Sequence, residues 1–293
     1  MSQVDLSKLP VPQLLEDLDF EALYLEDLAS FRAHMGNRWT AKLESDPVIK
    51  LLEVGAYRKL LNRARVNDAA KALLLAYAKE GDLDQLAANV SLQRLVIRAA
   101  NPNTIPPTEL LLESDDALRE RVQLVYEGLT TAGPRNSYIL HARNASGRVA
   151  DATAESPSPA VVDVTVLSLD GNGMAGPPLL AQVANYLNDD DIRPVADRVN
   201  VRSAEILPYR VEAVLHMADS GPEYETILDE CRRRLEVWVN PRRRLGVEVA
   251  RSGVDAQLHI EGVSRVELVN WTDIRPTKAQ AAWCTGIDLK RGG

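Results

Sequence analysis

Cysteine is almost missing from this 293-residue chain, and aromatic residues are few. Cys231 and Cys284 stand alone, too few for a disulfide framework or a four-cysteine zinc site, so the fold must be held by its own core. Long apolar runs are also absent: no segment approaches the ~18 uninterrupted apolar residues of a membrane span. The opening MSQVDLSKLPVPQLLEDL lacks a basic start followed by an apolar stretch, the mark of secretory export, and a reducing cytoplasm is therefore the expected setting. The net charge of -8 argues against a surface that wraps nucleic acid, although it leaves room for one local basic patch.

The usual signatures of catalysis are missing too. His34, His141, His216 and His259 are scattered without ligand spacing, and neither HExxH nor G-x-S-x-G occurs. Asp219-Ser220-Gly221 copies the triplet of aspartic proteases, but those enzymes need two carboxylates sharing a proton and the chain offers one, directly before Pro222. A turn into a helix explains it.

What is present is an ordinary folding composition, 45% hydrophobic and 26% charged, over a length that suggests two or three domains. From Ser45 to Ala78 the apolar residues Val48, Leu51, Leu52, Tyr57, Leu60, Leu61 and Ala64 recur at helical spacing behind Pro47, which a first turn tolerates. One long helix, or two broken near Asn67, accounts for the pattern. Its apolar set is wider than one stripe, which fits either an internal helix pair or a bundle completed by another chain. Leu51, Leu52, Leu60 and Leu61 are accordingly candidate partner-binding residues.

Pro102, Pro106 and Pro107 punctuate a linker at residues 101–107, and a domain boundary is expected there. Ser114 then caps a helix with Asp115 and Asp116 in its first turn and a stripe of Leu118, Val122, Val125 and Leu129. Strands over 147–153 and 160–166 surround a Ser156-Pro157-Ser158-Pro159 turn; Asp163 and Thr165 alternate with valines, the pattern of a half-solvated antiparallel sheet. A helix over 178–187, strands over 199–201 and 209–217 and a helix over 222–239 follow. Two stretches look alike: Ile139-Leu140-His141 leading to a strand from Gly147, and Gln257-Leu258-His259 leading to one from Gly262, which suggests a duplicated unit. The fold class expected is α+β: a helical region over 1–107, then two small α+β units over 108–203 and 204–293 with mainly antiparallel sheets.

Two features invite a chemical reading. Gly171, Gly173 and Gly176 stand in the order G-x-G-x-x-G between an apolar run and a helix, as in dinucleotide-binding folds. The polar alternation before them and the position of Asp189, Asp190 and Asp191 just past the helix disfavour that reading, and Pro177 and Pro178 can start a helix without a phosphate. The densest basic feature is Arg232 to Arg234 followed by Arg242, Arg243 and Arg244. It suits either helix-end and packing roles or a carboxylate surface on a protein partner; with Trp238 the one aromatic nearby, stacking on bases is unsupported.

Longer motifs carry more weight. Read in order, GDLDQLA from Gly81, ESDDALRERVQLVYEGLTTAGPRNSYILHA from Glu113, GRVADATAESPSPAVVDVTVLS from Gly147, IRPVADRV from Ile192, AEILPYRVEAVLHM from Ala204, NPRRRLG from Asn240 and IEGVSRVELVN from Ile260 closely resemble the baseplate J-like proteins of contractile-tail bacteriophages. The resemblance spans essentially the whole chain. It implies a structural protein without catalytic residues, cofactor or metal, assembled in the host cytoplasm into the wedges of a baseplate, in a virion or a phage-tail-like bacteriocin. By that likeness two copies pair with a smaller wedge partner through N-terminal helices, and C-terminal α+β domains join neighbouring wedges around a central hub, with no nucleic-acid or membrane partner. The alternatives are a nucleotide-dependent enzyme using Gly171 to Gly176 and an adaptor for an acidic partner acting through Arg232 to Arg244.

Overall fold

A computed structural model describes residues 5–10, 12–39, 43–129, 133–217, 224–241 and 243–292. The Asp219-Ser220-Gly221 triplet and Arg242 lie outside them. The chain forms two compact units, Met1–Gln93 and Arg94–Gly293.

The first unit is helical. Helix α1 (Phe20–Met35) starts where the Asp19 carboxylate accepts from the Ala22 N–H, and α2 (Pro47–Ala72) starts where Asp46 accepts from Val48 at 2.8 Å with Pro47 in its first turn. The two pack together, and a short α3 (Glu80–Ala88) follows. Helix α2 runs unbroken through Asn67, which is buried with 5% of its surface exposed. Its side-chain amide donates to the Glu16 carbonyl at 2.8 Å and accepts from the Glu16 N–H at 2.9 Å. A polar residue that would otherwise compete with the helix is thereby satisfied, and it moors the segment ahead of α1.

The second unit opens with a two-stranded ribbon, β1 (Val96–Arg98) against β2 (Leu111–Leu112). Ser114 caps α4 (Asp115–Leu124), which tightens into a 3₁₀ turn over Val125–Leu129, and α5 (Arg135–Ala145) follows. Next come β3 (Val149–Ser158), β4 (Val161–Ser168), α6 (Pro177–Leu187) and β5 (Arg198–Ser203), a sheet of order β3-β4-β5. Valines 164 and 166 of β4, Leu179, Val183 and Leu187 of α6, and Tyr138 and Ala142 of α5 form its core.

The last sheet is β7-β6-β8. Strand β6 (Glu205–Met217) leads to α7 (Tyr224–Trp238), α8 (Arg251–Leu258), β7 (Val263–Leu268) and β8 (Gln280–Arg291). Val211 and Leu215 of β6 pack with Cys231 and Leu235 of α7 and Val254 and Leu258 of α8. Pro208 is tolerated in this central strand because β7 pairs with residues 213–217 alone, so at Pro208 one flank carries no ladder.

The architecture is α+β, with helices first and small, mostly antiparallel sheets after them. Three details differ from the sequence reading. The strand expected to stop at Thr153 runs on to Ser158, through a register shift after Glu155, so the turn is Pro159-Ala160 alone. Strand β4 is not the half-solvated strand that the alternation suggested: it is central, antiparallel to β3 but parallel to β5, and its Thr165, 1% exposed, accepts from the Arg202 guanidinium at 3.1 Å. A hydroxyl with a partner is buried there at little cost, and polar alternation then misreports exposure. Finally, each sheet has a central strand flanked by one antiparallel neighbour that follows a helix and one parallel neighbour, but the central strand comes second in the first sheet and first in the other. The two helix-to-strand stretches are alike in place, not in chain order.

Candidate functional site

Helix α2 carries two apolar faces. At about 100° per residue Ile49, Ala56 and Asn67 point one way, and all are buried. Leu52 and Leu60 lie near that side and are half-buried. Leu51, Val54, Tyr57 and Leu61 lie on the other side, within roughly 120° of one another, and all are exposed, Leu51 by 70%. Of the four leucines singled out from the sequence, two thus turn toward the intrachain packing and two toward solvent.

The glycine loop has the topology of a dinucleotide site, since β4, loop, α6 and the parallel β5 follow in order. Its interior does not. Gly173 closes the loop on itself, with its carbonyl accepting from Ser168 N–H at 2.8 Å and its own N–H donating to Asp170 O at 3.0 Å. The first turn of α6 is Pro177-Pro178, so two of the N–H groups that would cradle a phosphate do not exist. The glycine is there for packing: with φ +103°, a Cβ on Gly173 would lie 2.6 Å from Leu167 Cδ1 and 3.3 Å from Arg243 Nε.

That contact joins the two sequence features. Arg243 donates from Nη2 to the carbonyls of Ser168 (3.1 Å) and Leu169 (3.0 Å) at the end of β4, and its guanidinium lies 4.7 Å from the centre of the Trp283 ring in β8. Arg244 donates to Ala150 O at 2.7 Å and pairs with Glu120 at 2.8 Å, while Leu245 N–H donates to the Asp151 carboxylate. At the other end of the segment the Asn240 amide bonds both the N–H and the carbonyl of Cys284 at 3.0 Å. Asn240, Arg243, Arg244 and Leu245 therefore clasp the β3-β4-β5 sheet to β8, over a small apolar seam of Leu167, Ala204, Leu245 and Ala281. Burial in this seam pushes the Asp151 carboxyl above its ordinary value, against the pull of Arg244 and of two backbone N–H groups, and holds the Arg243 guanidinium below its own. Trp283 was not singled out from the sequence; it lies forty positions from Arg243, and no local pattern could have linked them.

A second polar cluster braces the entry to this unit. Arg121 and Glu113, each 4% exposed at the side chain, form an ion pair; Glu113 also accepts from Leu95 N–H at 3.1 Å, and Arg121 donates to Asn144 at 2.8 Å. Burial lowers the Arg121 value and Glu113 opposes this. Arg143 pairs with Glu120 at 2.7 Å, so one carboxylate serves both Arg143 and Arg244. By contrast Arg232 and Arg233 pair with Asp229 and Glu230 on their own helix at the surface. His141 is half-buried, its buried Nδ1 without a hydrogen-bond partner, Cys231 and Cys284 are free and buried, and the described residues hold no cluster of three metal-ligating groups. Among the described residues no helix is long and apolar enough to cross a membrane.

Comparison with known proteins decides the family. Residues 44–101 match the Baseplate J-like N-terminal domain and residues 130–203 the Baseplate J-like central domain. Baseplate protein J of Escherichia phage P2 is 44% identical over 300 residues, covering 100% of this chain and 99% of that protein. The chain belongs to the baseplate J-like family. As a family member it is a structural protein and not an enzyme. The N-terminal family domain takes in α2, α3 and β1, and the central one runs from just before α5 to the end of β5. The clasp and β8 lie beyond both matched domains, within the part shared with the P2 protein.

Proposed function

We propose that this baseplate J-like chain is a wedge subunit of a contractile-tail baseplate, joined through its N-terminal helices to a smaller wedge partner and a second copy of itself, and through its C-terminal unit to neighbouring wedges and the hub. Its assembly takes place in the host cytoplasm and its working place is the baseplate of the particle. The observation that carries this reading is the outward stripe of α2, Leu51, Val54, Tyr57 and Leu61, on a helix whose opposite face is already packed. Contiguous apolar surface of that kind on a soluble chain marks a contact with another chain. Leu52 and Leu60, half-buried at the edge of the packed face, border the stripe and extend the same partner-binding surface. Arg242, Arg243 and Arg244 belong to the second surface, with Arg243 and Arg244 anchoring the segment that faces neighbouring wedges. The experiment is an electron-microscopy map of the assembly purified with its co-expressed neighbours: density of another chain along α2 supports the proposal, and a solvated α2 in an assembled baseplate overturns it.

A further inference from the structure

Beside the clasp lies a cleft of about 300 Å³ lined by Ala150, Leu169, Asn240, Pro241, Arg243 and Arg244. Its charge is unbalanced. Among the described residues no carboxylate lies within ion-pair reach of Arg243; its acceptors are two neutral carbonyls, and its Nε is buried without a hydrogen-bond partner. The neighbouring cations are better served, since Arg244 and Arg143 share Glu120 and both act on Asp151. Among the described residues three guanidiniums, Arg143, Arg243 and Arg244, thus face two carboxylates, Glu120 and Asp151, leaving one positive charge at the cleft wall. A half-buried guanidinium held by carbonyl dipoles and an indole face is fixed in position and has lost part of its water, the state in which a carboxylate gains most from meeting it.

We propose that this cleft receives a single aspartate or glutamate side chain from a neighbouring protein subunit of the baseplate. The inference rests on the wedge reading and names the chemistry of one of its contacts. Several features select a protein carboxylate. The volume lies at the foot of the range of about 300–1,000 Å³ for small-molecule sites, which suits a single side chain. One uncompensated charge matches one carboxylate, whereas a nucleic-acid strand needs a row of cations, and the chain carries a net -8. Leu169 and Pro241, both exposed, give the rim an apolar collar that excludes water once a partner seats on it.

The test uses intact particles carrying the full chain. Photoreactive benzoylphenylalanine replaces Leu169, the particles are irradiated, and the cross-linked peptide is sequenced. The expected product is a peptide of another subunit with Asp or Glu within a few residues of the link; links confined to this chain, or to peptides without an acid, overturn the proposal. Leu169→Glu then supplies a tethered carboxylate to Arg243. The isolated variant should melt no lower than the wild type, while baseplate yield falls at least about tenfold, and Leu169→Gln assembles normally. Normal yield from Leu169→Glu overturns the proposal. Converting the identified acid to Arg should also block assembly, whereas exchanging it for the other acid, aspartate for glutamate or the reverse, should leave assembly intact. Calorimetry of the isolated chain with glutarate and with inorganic phosphate separates a free-anion site: tighter binding of phosphate than glutarate overturns the protein-carboxylate reading. Wild-type particles in which mass spectrometry finds no copy of this chain would defeat the wedge reading itself, an outcome distinct from failure of the cleft.

Discussion

Gly173 and Arg243, seventy positions apart, touch so closely that a Cβ on the glycine would come within 3.3 Å of the guanidinium Nε. The glycine loop and two of the clustered arginines, Arg243 and Arg244, separate candidates in the sequence, are two halves of one clasp. The loop's third position is glycine because a Cβ there would press on Leu167 of β4 and on Arg243, and its positive φ is one that L side chains rarely adopt.

Gly173→Ala should therefore cost about 2–3 kcal/mol, combining a strained φ with overpacking. Gly171→Ala, at φ +53° with nothing within 4 Å of the added carbon, should cost about 1 kcal/mol. Urea unfolding of both variants checks the contrast; equal losses would show that the clasp does not press on the loop.

The buried Arg121–Glu113 pair predicts an asymmetry. Arg121→Met alone leaves the Glu113 carboxylate buried without its cation and should cost about 3–5 kcal/mol. Arg121→Met with Glu113→Leu should recover a large part of that loss, because neither charge then has to be desolvated. Leu95 N–H, which Glu113 accepts from, limits the recovery. Denaturation of the two single variants and the double variant closes the cycle.

Asp151 predicts a pH dependence of definite sign. Its folded value is raised by burial, so between the ordinary carboxyl value near about 3.9 and the folded one the native state binds more protons than the unfolded state. Stability from this group is then fully present below the ordinary value and is lost as pH rises through the folded value. Asp151→Asn removes the titration. The stability of wild type minus that of Asp151→Asn should thus be most favourable to wild type in acid and decline toward neutrality, measured by urea midpoints across the range. A difference rising with pH would show that Arg244 and the two N–H donors outweigh burial.

How far the sequence disclosed this depends on the range of the forces involved. Caps and stripes are local, so Ser114 with Asp115, and Pro47 with its apolar repeat, announced α4 and α2. Asn67 read as a possible break, because the Glu16 peptide that satisfies it lies fifty-one positions away. Thr165 read as solvent-facing for the same reason, its partner being Arg202 on a strand that returns parallel. The arginines were visible as charge, yet the carbonyls of Ser168 and Leu169 and the ring of Trp283 that hold Arg243 leave no trace in its neighbourhood of the chain. The longest-range reading, family likeness across the whole chain, needed none of these contacts and agrees with the comparison.

On the stripe of α2, Leu51→Gln and Leu61→Gln should leave the isolated chain within about 0.5 kcal/mol of wild type, as exposed positions do. Together they should reduce recovery of the chain with co-expressed baseplate components. Ile49→Ala, on the packed face, should instead destabilise the chain by about 2 kcal/mol or more. Co-purification yields set beside melting curves separate the two faces.

The central claim is that the outward face of α2 is covered by another chain in the baseplate. Hydroxyl-radical footprinting of the free chain and of assembled particles measures this at the side chains themselves. Tyr57, 55% exposed, and its neighbours Leu51 and Leu61 should be oxidised readily in the free chain and several-fold less in the particle. Leu28 of α1, which is buried, should stay protected in both. Unchanged oxidation of Tyr57, Leu51 and Leu61 in assembled baseplates would contradict the account.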